Sequence, residues 1–105
     1  MESNSISLEA HALLEKGASV FNEWRLNNIE TRINFSERKF IEADFSGYFF
    51  INIDLYKTSF EGSILDDSIF SNSKIQETDF YGVRAHNAVF GIPELINILY
   101  YRNTF

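Results

Sequence analysis

The two histidines are the side chains in this sequence best suited to acid–base chemistry. His11 lies in a segment that predicts a helix, and His86 would meet Asp66 or Asp67 only if the chain returns close to its earlier path. An imidazole beside a carboxylate can move a proton. A catalytic site also needs a nucleophile, an orienting group and a pocket, which one such contact does not supply. We therefore predict that both histidines are structural or exposed and that the protein is not an enzyme.

The chain contains no known motif for binding a cofactor or a metal ion. There is no cysteine, which removes disulfides, thiolate metal sites and thiol catalysis. The sequence also has no glycine-rich phosphate loop, no HExxH pair and no EF-hand loop. We expect neither a cofactor nor a metal ion.

The charge balance bears on the partners that the chain can bind. Fifteen acidic and nine basic side chains give a net charge of −6, which disfavours direct binding to nucleic acid or to anionic membranes. No apolar run approaches the ~18 residues of a membrane span, and the first residues lack the basic start and apolar run of a secretory signal. These features predict a soluble, cytoplasmic protein.

An apolar residue recurs at every fifth position between residues 33 and 92. Eight of these twelve centres are Phe, in a chain that holds eleven Phe in all. A fixed period over sixty residues indicates a repeat architecture. The centres are Phe35, Phe40, Phe45, Phe50, Leu55, Phe60, Leu65, Phe70, Ile75, Phe80, Ala85 and Phe90.

A second period of five accompanies the first. The residue two positions before each centre is small or β-branched from Thr58 onward, whereas Arg38 and Tyr48 are large. Two inward positions in every five fit neither a helix face nor an alternating strand. They predict a chain that turns a corner once per unit. The large Arg38 and Tyr48 predict that the first full circuit of the repeat, its first coil, is irregular.

These units resemble the pentapeptide-repeat family, whose pattern is a small residue, Asp or Asn, Leu or Phe, and two polar residues. The units 43–47 (ADFSG), 53–57 (IDLYK) and 78–82 (TDFYG) match it well. Residues 17–25 (GASVFNEWR) are also similar to a helical segment that precedes the repeats in some members. The resemblance covers about 80 of the 105 residues.

The resemblance implies an all-β solenoid, a right-handed quadrilateral β-helix with four units per coil and three coils. Residues twenty apart would then stack in ladders with the ~4.8 Å strand spacing. The faces would carry Phe35, Leu55 and Ile75 (first), Phe40, Phe60 and Phe80 (second), Phe45, Leu65 and Ala85 (third), and Phe50, Phe70 and Phe90 (fourth). Stacked rings would fill the interior.

Helical caps are predicted on both sides of the β-helix, which we place at residues 33–92. Residues 1–32 form the N-terminal cap, with helices at 7–16, where Ser7 is the N-cap and Gly17 the stop, and from 19 to about 27. Residues 93–105 form the C-terminal cap, in which Pro93 begins a short apolar helix that ends near residue 102.

The candidate interaction surface is an apolar column just before the centres of the fourth face. Phe49, Ile69 and Val89 occupy positions where the family usually has Asp or Asn. An exposed apolar patch of this kind often marks an interface, so we predict a non-enzymatic module that binds an unidentified protein partner or itself. Self-binding in this prediction includes a homodimer formed through the C-terminal helix. The predicted interaction residues are Phe49, Ile51, Ile64, Ile69, Val89, Ile92, Leu99, Tyr100 and Tyr101.

Three other interpretations stay open at the level of sequence. A terminal helix of the same chain could cover the apolar column. Some family members resemble acidic duplex DNA and bind type II topoisomerases, although residues 33–92 carry a net charge of only −4 (9 acidic, 5 basic). The protein could also be a small neutralising factor for a toxin or a defence enzyme.

Overall fold

The computed structural model describes residues 2–91, so Ile92 and the predicted C-terminal cap at residues 93–105 lie outside the described residues. Helix α1 (Glu2–Leu13) leads through a short 3₁₀ turn (Leu14–Lys16) into helix α2 (Ala18–Asn27). Four two-residue strands follow, which are β1 (Ile33–Asn34), β2 (Ile53–Asp54), β3 (Ile69–Phe70) and β4 (Val89–Phe90).

The first N-terminal helix differs from the prediction in where it begins. Helix α1 begins five residues before Ser7 (at Glu2), so Ser7 is not its N-cap; the buried Ser7 hydroxyl instead accepts the amide N–H of Asn34 at 2.9 Å. Two apolar residues of these helices, Leu8 and Val20, are exposed. Gly17 does end the first helical segment, with a φ of 98° that suits glycine.

The strands pair in parallel with the predicted register of twenty residues. Ile33 pairs with Ile53 in the β1–β2 ladder, and Ile69 with Val89 in the β3–β4 ladder. Isolated bridges keep the same offset at six further places: Lys39–Ser59, Asp44–Ile64, Phe49–Ile69, Asp54–Lys74, Ser59–Asp79 and Ile64–Arg84. The chain therefore returns to the same lateral position every twenty residues.

A corner follows each centre from Phe35 to Ala85, where the residue two positions later has a positive φ. The position recurs eleven times in the described residues, and φ lies between 54° and 75° each time. Hydrogen bonds close several of these turns, for example from the Ser63 N–H to the Phe60 carbonyl at 2.9 Å. The eleven residues are Glu37, Glu42, Gly47, Asn52, Lys57, Gly62, Asp67, Asn72, Glu77, Gly82 and Asn87.

The interior contains two columns of phenylalanine rings, as predicted. In one column the centroids of Phe60 and Phe80 lie 5.8 Å apart, and in the other Phe70 and Phe90 lie 5.0 Å apart with an interplanar angle of 8°. The columns meet edge to face, with 5.8 Å between the Phe60 and Phe70 centroids. Both stacked and edge-to-face contacts add to the energy of burial.

Hydroxyl groups at the small inward positions link one coil to the next. Thr58 donates to the Phe35 carbonyl at 2.7 Å, and Ser63 to the Phe40 carbonyl at 2.7 Å. The sequence predicts these positions to be small, but their hydrogen bonds appear only in the structure. They satisfy carbonyl groups that would otherwise be buried without a partner.

The large residues of the first coil reach down to the N-terminal helices. The Tyr48 hydroxyl donates to the Leu14 carbonyl at 2.6 Å, and its ring lies 5.5 Å from that of the fully buried Phe21. Arg38 contacts His11. The predicted irregularity of this coil is therefore a fit to the helices that cover it.

Candidate interaction surface

The predicted contact between His86 and Asp66 is made by the backbone and not by the imidazole. The Asp66 Oδ1 atom accepts the His86 backbone N–H at 3.0 Å, while Oδ2 pairs with the Arg84 guanidinium at 2.8 Å. The Arg84 hydrogen bond, with the His86 amide, holds the pKa of the Asp66 carboxyl below its usual range. This carboxylate therefore stabilises a corner through a backbone amide and a guanidinium.

His11 has a structural environment between α1 and the first coil. Its Nδ1 atom lies 2.7 Å from an Arg38 guanidinium nitrogen, which can only donate, so Nδ1 is the acceptor. The ring packs edge-on against Phe35, with 5.9 Å between centroids. Burial lowers the pKa of His11, Arg38 lowers it further, and Glu15 acts in the opposite direction. The neutral imidazole is thus the form that holds α1 in place.

The apolar column is present in the predicted register. Phe49 bridges to Ile69, and Ile69 pairs with Val89. Tyr48 and Phe50 on either side of Phe49 are buried, so the half-buried Phe49 points to the outer side of the coil. Val89 is also half-buried, whereas Ile69, between them, is only 9% exposed.

Other residues of the predicted patch do not extend this column. Ile51 is 0% exposed and offers no surface to a partner. Ile64 is half-buried, but its ladder neighbours are Asp44 and Arg84, so it lies in a charged column. The prediction of one contiguous apolar patch is therefore too broad. Ile92, Leu99, Tyr100 and Tyr101 lie outside the described residues.

Phe49 lines a groove between the first coil and α2. The groove has a volume of about 580 Å³ and is open to solvent along one side. Leu26 and Phe49 supply its apolar surface, amide and hydroxyl groups supply most of the rest, and Glu23 adds one carboxylate. The lining residues are Ser19, Asn22, Glu23, Leu26, Asn27 and Phe49.

Asn22 fixes the position of the groove, and the sequence prediction missed its role. Its side-chain amide donates to the Gly47 carbonyl at 2.8 Å and accepts the Phe49 N–H at 2.8 Å. It thereby replaces the strand that would pair with this edge if another coil lay below. An asparagine within the helix that precedes the repeat is the signal that could have indicated it.

Arg25 holds the other end of α2 and was also missed. It is fully buried, and one guanidinium nitrogen donates to the carbonyls of Asn28 at 2.7 Å and Thr31 at 2.6 Å. Burial lowers its pKa to about 10. Through these bonds Arg25 ties α2 to the segment that enters β1.

The corners of the fourth face lack a bond that most other corners have. At Asp44, Asp54 and Asp79 the carboxylate accepts the amide N–H two residues later, at 2.9 to 3.0 Å. Phe49, Ile69 and Val89 have no side-chain oxygen for such a turn. Local turn chemistry therefore does not explain the apolar residues at these three positions.

Two further kinds of feature are absent from the described part of the chain. No group of three or more His, Cys, Asp or Glu side chains is arranged to hold a metal ion within residues 2–91. None of the helices there has the length and apolarity that a membrane crossing requires.

The five-residue period and its register of twenty can be compared with known families. A family model described as pentapeptide repeats matches in eight copies, over residues 31–72 and 53–91. The chain belongs to the pentapeptide-repeat family. The family implies a β-helical solenoid, and pentapeptide-repeat proteins are generally non-catalytic interaction modules.

Other comparisons add little to the family assignment. The chain matches the crystal structure of a pentapeptide repeat protein (Rfr23) from the cyanobacterium Cyanothece 51142 with 18% identity and a TM-score of 0.23. The match covers 55% of this chain and about half (50%) of that one. No curated protein matches this pentapeptide-repeat chain.

Proposed function

We propose that this pentapeptide-repeat protein is a non-enzymatic module that binds a protein partner in the groove between α2 and the first coil. The observation that carries the proposal is the groove itself, of about 580 Å³, with the half-buried Phe49 on its wall. The apolar side chains of the groove can contact an apolar side chain of a partner, and its more numerous polar groups can orient that partner through hydrogen bonds.

The rest of the column extends the proposed contact away from α2. Val89 lies two ladder steps above Phe49 and is half-buried, so a partner segment that lies along this side would meet apolar surface at both ends. The exposed Glu23 also lines the groove. A fitting partner therefore presents an apolar side chain with a lysine or arginine beside it.

The scaffold that presents the groove is, in this proposal, a right-handed quadrilateral β-helix of three coils. The parallel register of twenty and the positive φ at every fifth residue support four corners per coil. A rigid scaffold of this kind keeps Phe49 and Val89 at a fixed separation. Little conformational entropy is then lost on binding, which favours affinity.

Affinity capture with two variants tests the proposal. Tagged full-length protein is expressed in the organism that encodes it, and bound proteins are quantified by mass spectrometry for the wild type, Phe49→Asp and Glu23→Lys. We expect one partner whose recovery falls at least about tenfold with Phe49→Asp, because burying an unpaired carboxylate in the interface costs well over 1.4 kcal/mol. Glu23→Lys changes an exposed residue, so it reports on the groove even if Phe49→Asp unfolds.

Ile41→Asp is the matched control. Ile41 is 45% exposed and belongs to another side of the first coil, away from the groove lining. The Ile41→Asp substitution adds the same negative charge as Phe49→Asp, also at an apolar residue of the first coil. Equal recovery of every bound protein by the wild type, Phe49→Asp and Glu23→Lys would show that the groove is not the binding site.

The two other functions predicted from the sequence are not favoured by the described residues. A mimic of duplex DNA needs rows of uncompensated acidic groups. Here the Asp44–Ile64–Arg84 column holds one acidic, one apolar and one basic residue, and Arg84 neutralises Asp66. A neutralising factor for a toxin or defence enzyme would be one case of the protein-binding module, and the captured partner would identify it.

A further inference from the structure

A second groove, which we call the α1 groove, lies between α1 and the first coil. It is open to solvent and has a volume of about 260 Å³. It shares no lining residue with the groove that holds Phe49, so what it binds does not depend on the protein partner proposed above. The lining residues are Ser7, Leu8, Asn34, Ser36 and Arg38.

Arg38 brings a positive charge to the α1 groove without a carboxylate partner among the described residues. It is half-buried, at a position where the later repeat units have small residues. One guanidinium nitrogen lies 2.7 Å from the Nδ1 atom of His11, and the guanidinium carbon lies 5.4 Å from the centre of the Phe35 ring. The one ion pair within the described part of the chain joins Arg84 to Asp66. Burying a charge is costly unless it is paired, so an anion from solution would stabilise Arg38.

Asn34 presents a second donor in the same groove. Its Oδ1 atom accepts the Ser36 N–H at 2.9 Å and the Ser36 hydroxyl at 2.6 Å. A backbone N–H can only donate, so the atom that faces Ser36 must be the amide oxygen, and the Nδ2 atom with its two hydrogens is directed away from it. Asn34 is exposed. Its amide is therefore held in an orientation that leaves Nδ2 available to an acceptor in the groove.

We propose that the α1 groove binds a short aliphatic carboxylate. The carboxylate accepts hydrogen bonds from the Arg38 guanidinium and the Asn34 amide, and the aliphatic chain lies against Leu8, which is 64% exposed. Hydrogen bonds from a guanidinium to a carboxylate are among the strong ones.

The charge and the size of the α1 groove favour this class of ligand. Arg38 is the one charged residue of the lining, and a single guanidinium balances one negative charge. The net charge of −6 opposes a more highly charged anion such as phosphate. A volume of about 260 Å³ is below the roughly 300 to 1,000 Å³ of sites for drug-sized ligands, which fits a chain of a few carbon atoms.

An NMR titration of the ¹⁵N-labelled full-length protein with butyrate, in phosphate-free buffer at pH 7.5, tests the proposal. We expect the amide signals of residues 34–38 and of Leu8 to shift with a Kd of about 1 to 10 mM, which is reasonable for so small a ligand. Butyramide has nearly the same shape without the charge and should bind at least about tenfold more weakly. Inorganic phosphate is titrated in parallel and should bind more weakly than butyrate.

Two variants locate the binding site, and each has a matched control. Arg38→Gln removes the guanidinium and should raise the Kd for butyrate about tenfold, whereas Lys39→Gln removes an exposed charge beside it and should change the Kd less than about twofold. Leu8→Glu adds a carboxylate to the groove lining and should raise the Kd about threefold or more. Val20→Glu makes the same change at an exposed apolar position of α2 and should have less than about a twofold effect. Leu8→Glu changes an exposed residue, so it reports on the groove even if Arg38→Gln unfolds.

Several results would overturn the proposal. No shift at residues 34–38 up to about 50 mM butyrate would mean that the α1 groove does not bind carboxylates. Equal affinity for butyramide would show that the charge is not recognised, and tighter binding of phosphate would assign the groove to another class of anion. Equal effects of Leu8→Glu and Val20→Glu would mean that the overall charge of the protein, and not the α1 groove, controls binding.

Discussion

At the scale of single residues, hydroxyl groups contribute more than the small size that the repeat pattern requires. Ser63 is 1% exposed; its Oγ atom donates to the Phe40 carbonyl at 2.7 Å and accepts the Ala43 N–H at 2.9 Å. Two backbone groups of the first coil therefore depend on one side chain of the second. A sequence pattern that counts Ser and Ala as equivalent small residues does not reveal this dependence.

We expect Ser63→Ala to lower the free energy of unfolding by about 1 to 3 kcal/mol, because both buried backbone groups lose their partner. Urea denaturation followed by circular dichroism measures the change. Ser19→Ala, at an exposed position of α2, is the control and should stay within about 0.5 kcal/mol of the wild type. Equal stability of the two variants would mean that the Ser63 hydroxyl is not needed.

His11 makes the attachment of α1 dependent on pH. Its pKa is lowered from the usual value of 6.5, first by burial and then by Arg38, so the folded protein binds the proton less readily than the unfolded chain. Stability is therefore full above pH 6.5 and falls as the pH drops below it, until the folded form also becomes protonated.

We expect the melting temperature to decrease between pH 7.5 and pH 5, and to decrease less in His11→Gln, which does not titrate. Thermal unfolding at half-unit pH steps measures both curves. The Asp44 and Asp66 carboxyls, whose pKa values are lowered, affect stability only at more acidic pH. Parallel curves for the two proteins would contradict the role assigned to His11.

At the scale of elements, the corner is the unit that the five-residue period encodes. The centre position was predictable, because a large apolar residue recurs there without a break. The positive φ two residues later was not predicted, since Glu37, Lys57 and Glu77 occupy it as well as glycine and asparagine. Stacking against the neighbouring coil imposes this conformation whatever the local preference, which is why residue type alone does not reveal it.

Gly47 permits a test of the corner conformation. Its φ is 75°, and an added Cβ would meet no atom within 4 Å, so a substitution there changes only the backbone energy. We expect Gly47→Ala to cost about 1 kcal/mol of unfolding free energy and Gly47→Asn less, because asparagine adopts the left-handed region more readily. Chemical denaturation compares them, and an alanine variant as stable as the asparagine variant would contradict the assignment.

The helices show where sequence patterns were least informative. The sequence predicts an N-cap at Ser7, yet this residue lies inside α1 and binds Asn34 across 27 positions. Asn22 and Arg25 act through backbone groups of the first coil and of the segment before β1. Such long-range bonds have no periodicity, so the repeat could be predicted from the sequence and the attachment of its N-terminal cap could not.

At the scale of the whole molecule, the interior and the groove have separate roles. The paired columns of rings, with contacts such as Phe70 to Phe90 at 5.0 Å, supply the core. Phe49 lies outside that core and shares its groove with α2. The sequence located the apolar column because its residues depart from the family pattern, but it did not predict that α2 would border Phe49 or that Ile51 would be buried.

We expect Phe70→Ala to lower the free energy of unfolding by about 3 to 5 kcal/mol, since it leaves a cavity between the coils. Tyr81→Ala is the control, because Tyr81 is 76% exposed, and its change should be within about 0.5 kcal/mol. Urea denaturation measures both. A Phe70 variant as stable as the control would contradict the assignment of the fourth-face column to the core.

Hydrogen–deuterium exchange of the full-length protein, free and with the captured partner, tests most directly whether the groove is the binding surface. The account predicts slower exchange in the bound state at residues 19–27 and around Phe49, with smaller changes near Val89 and none around Ile41. Protection confined to the Asp44–Ile64–Arg84 column, or to any surface away from α2, would contradict it.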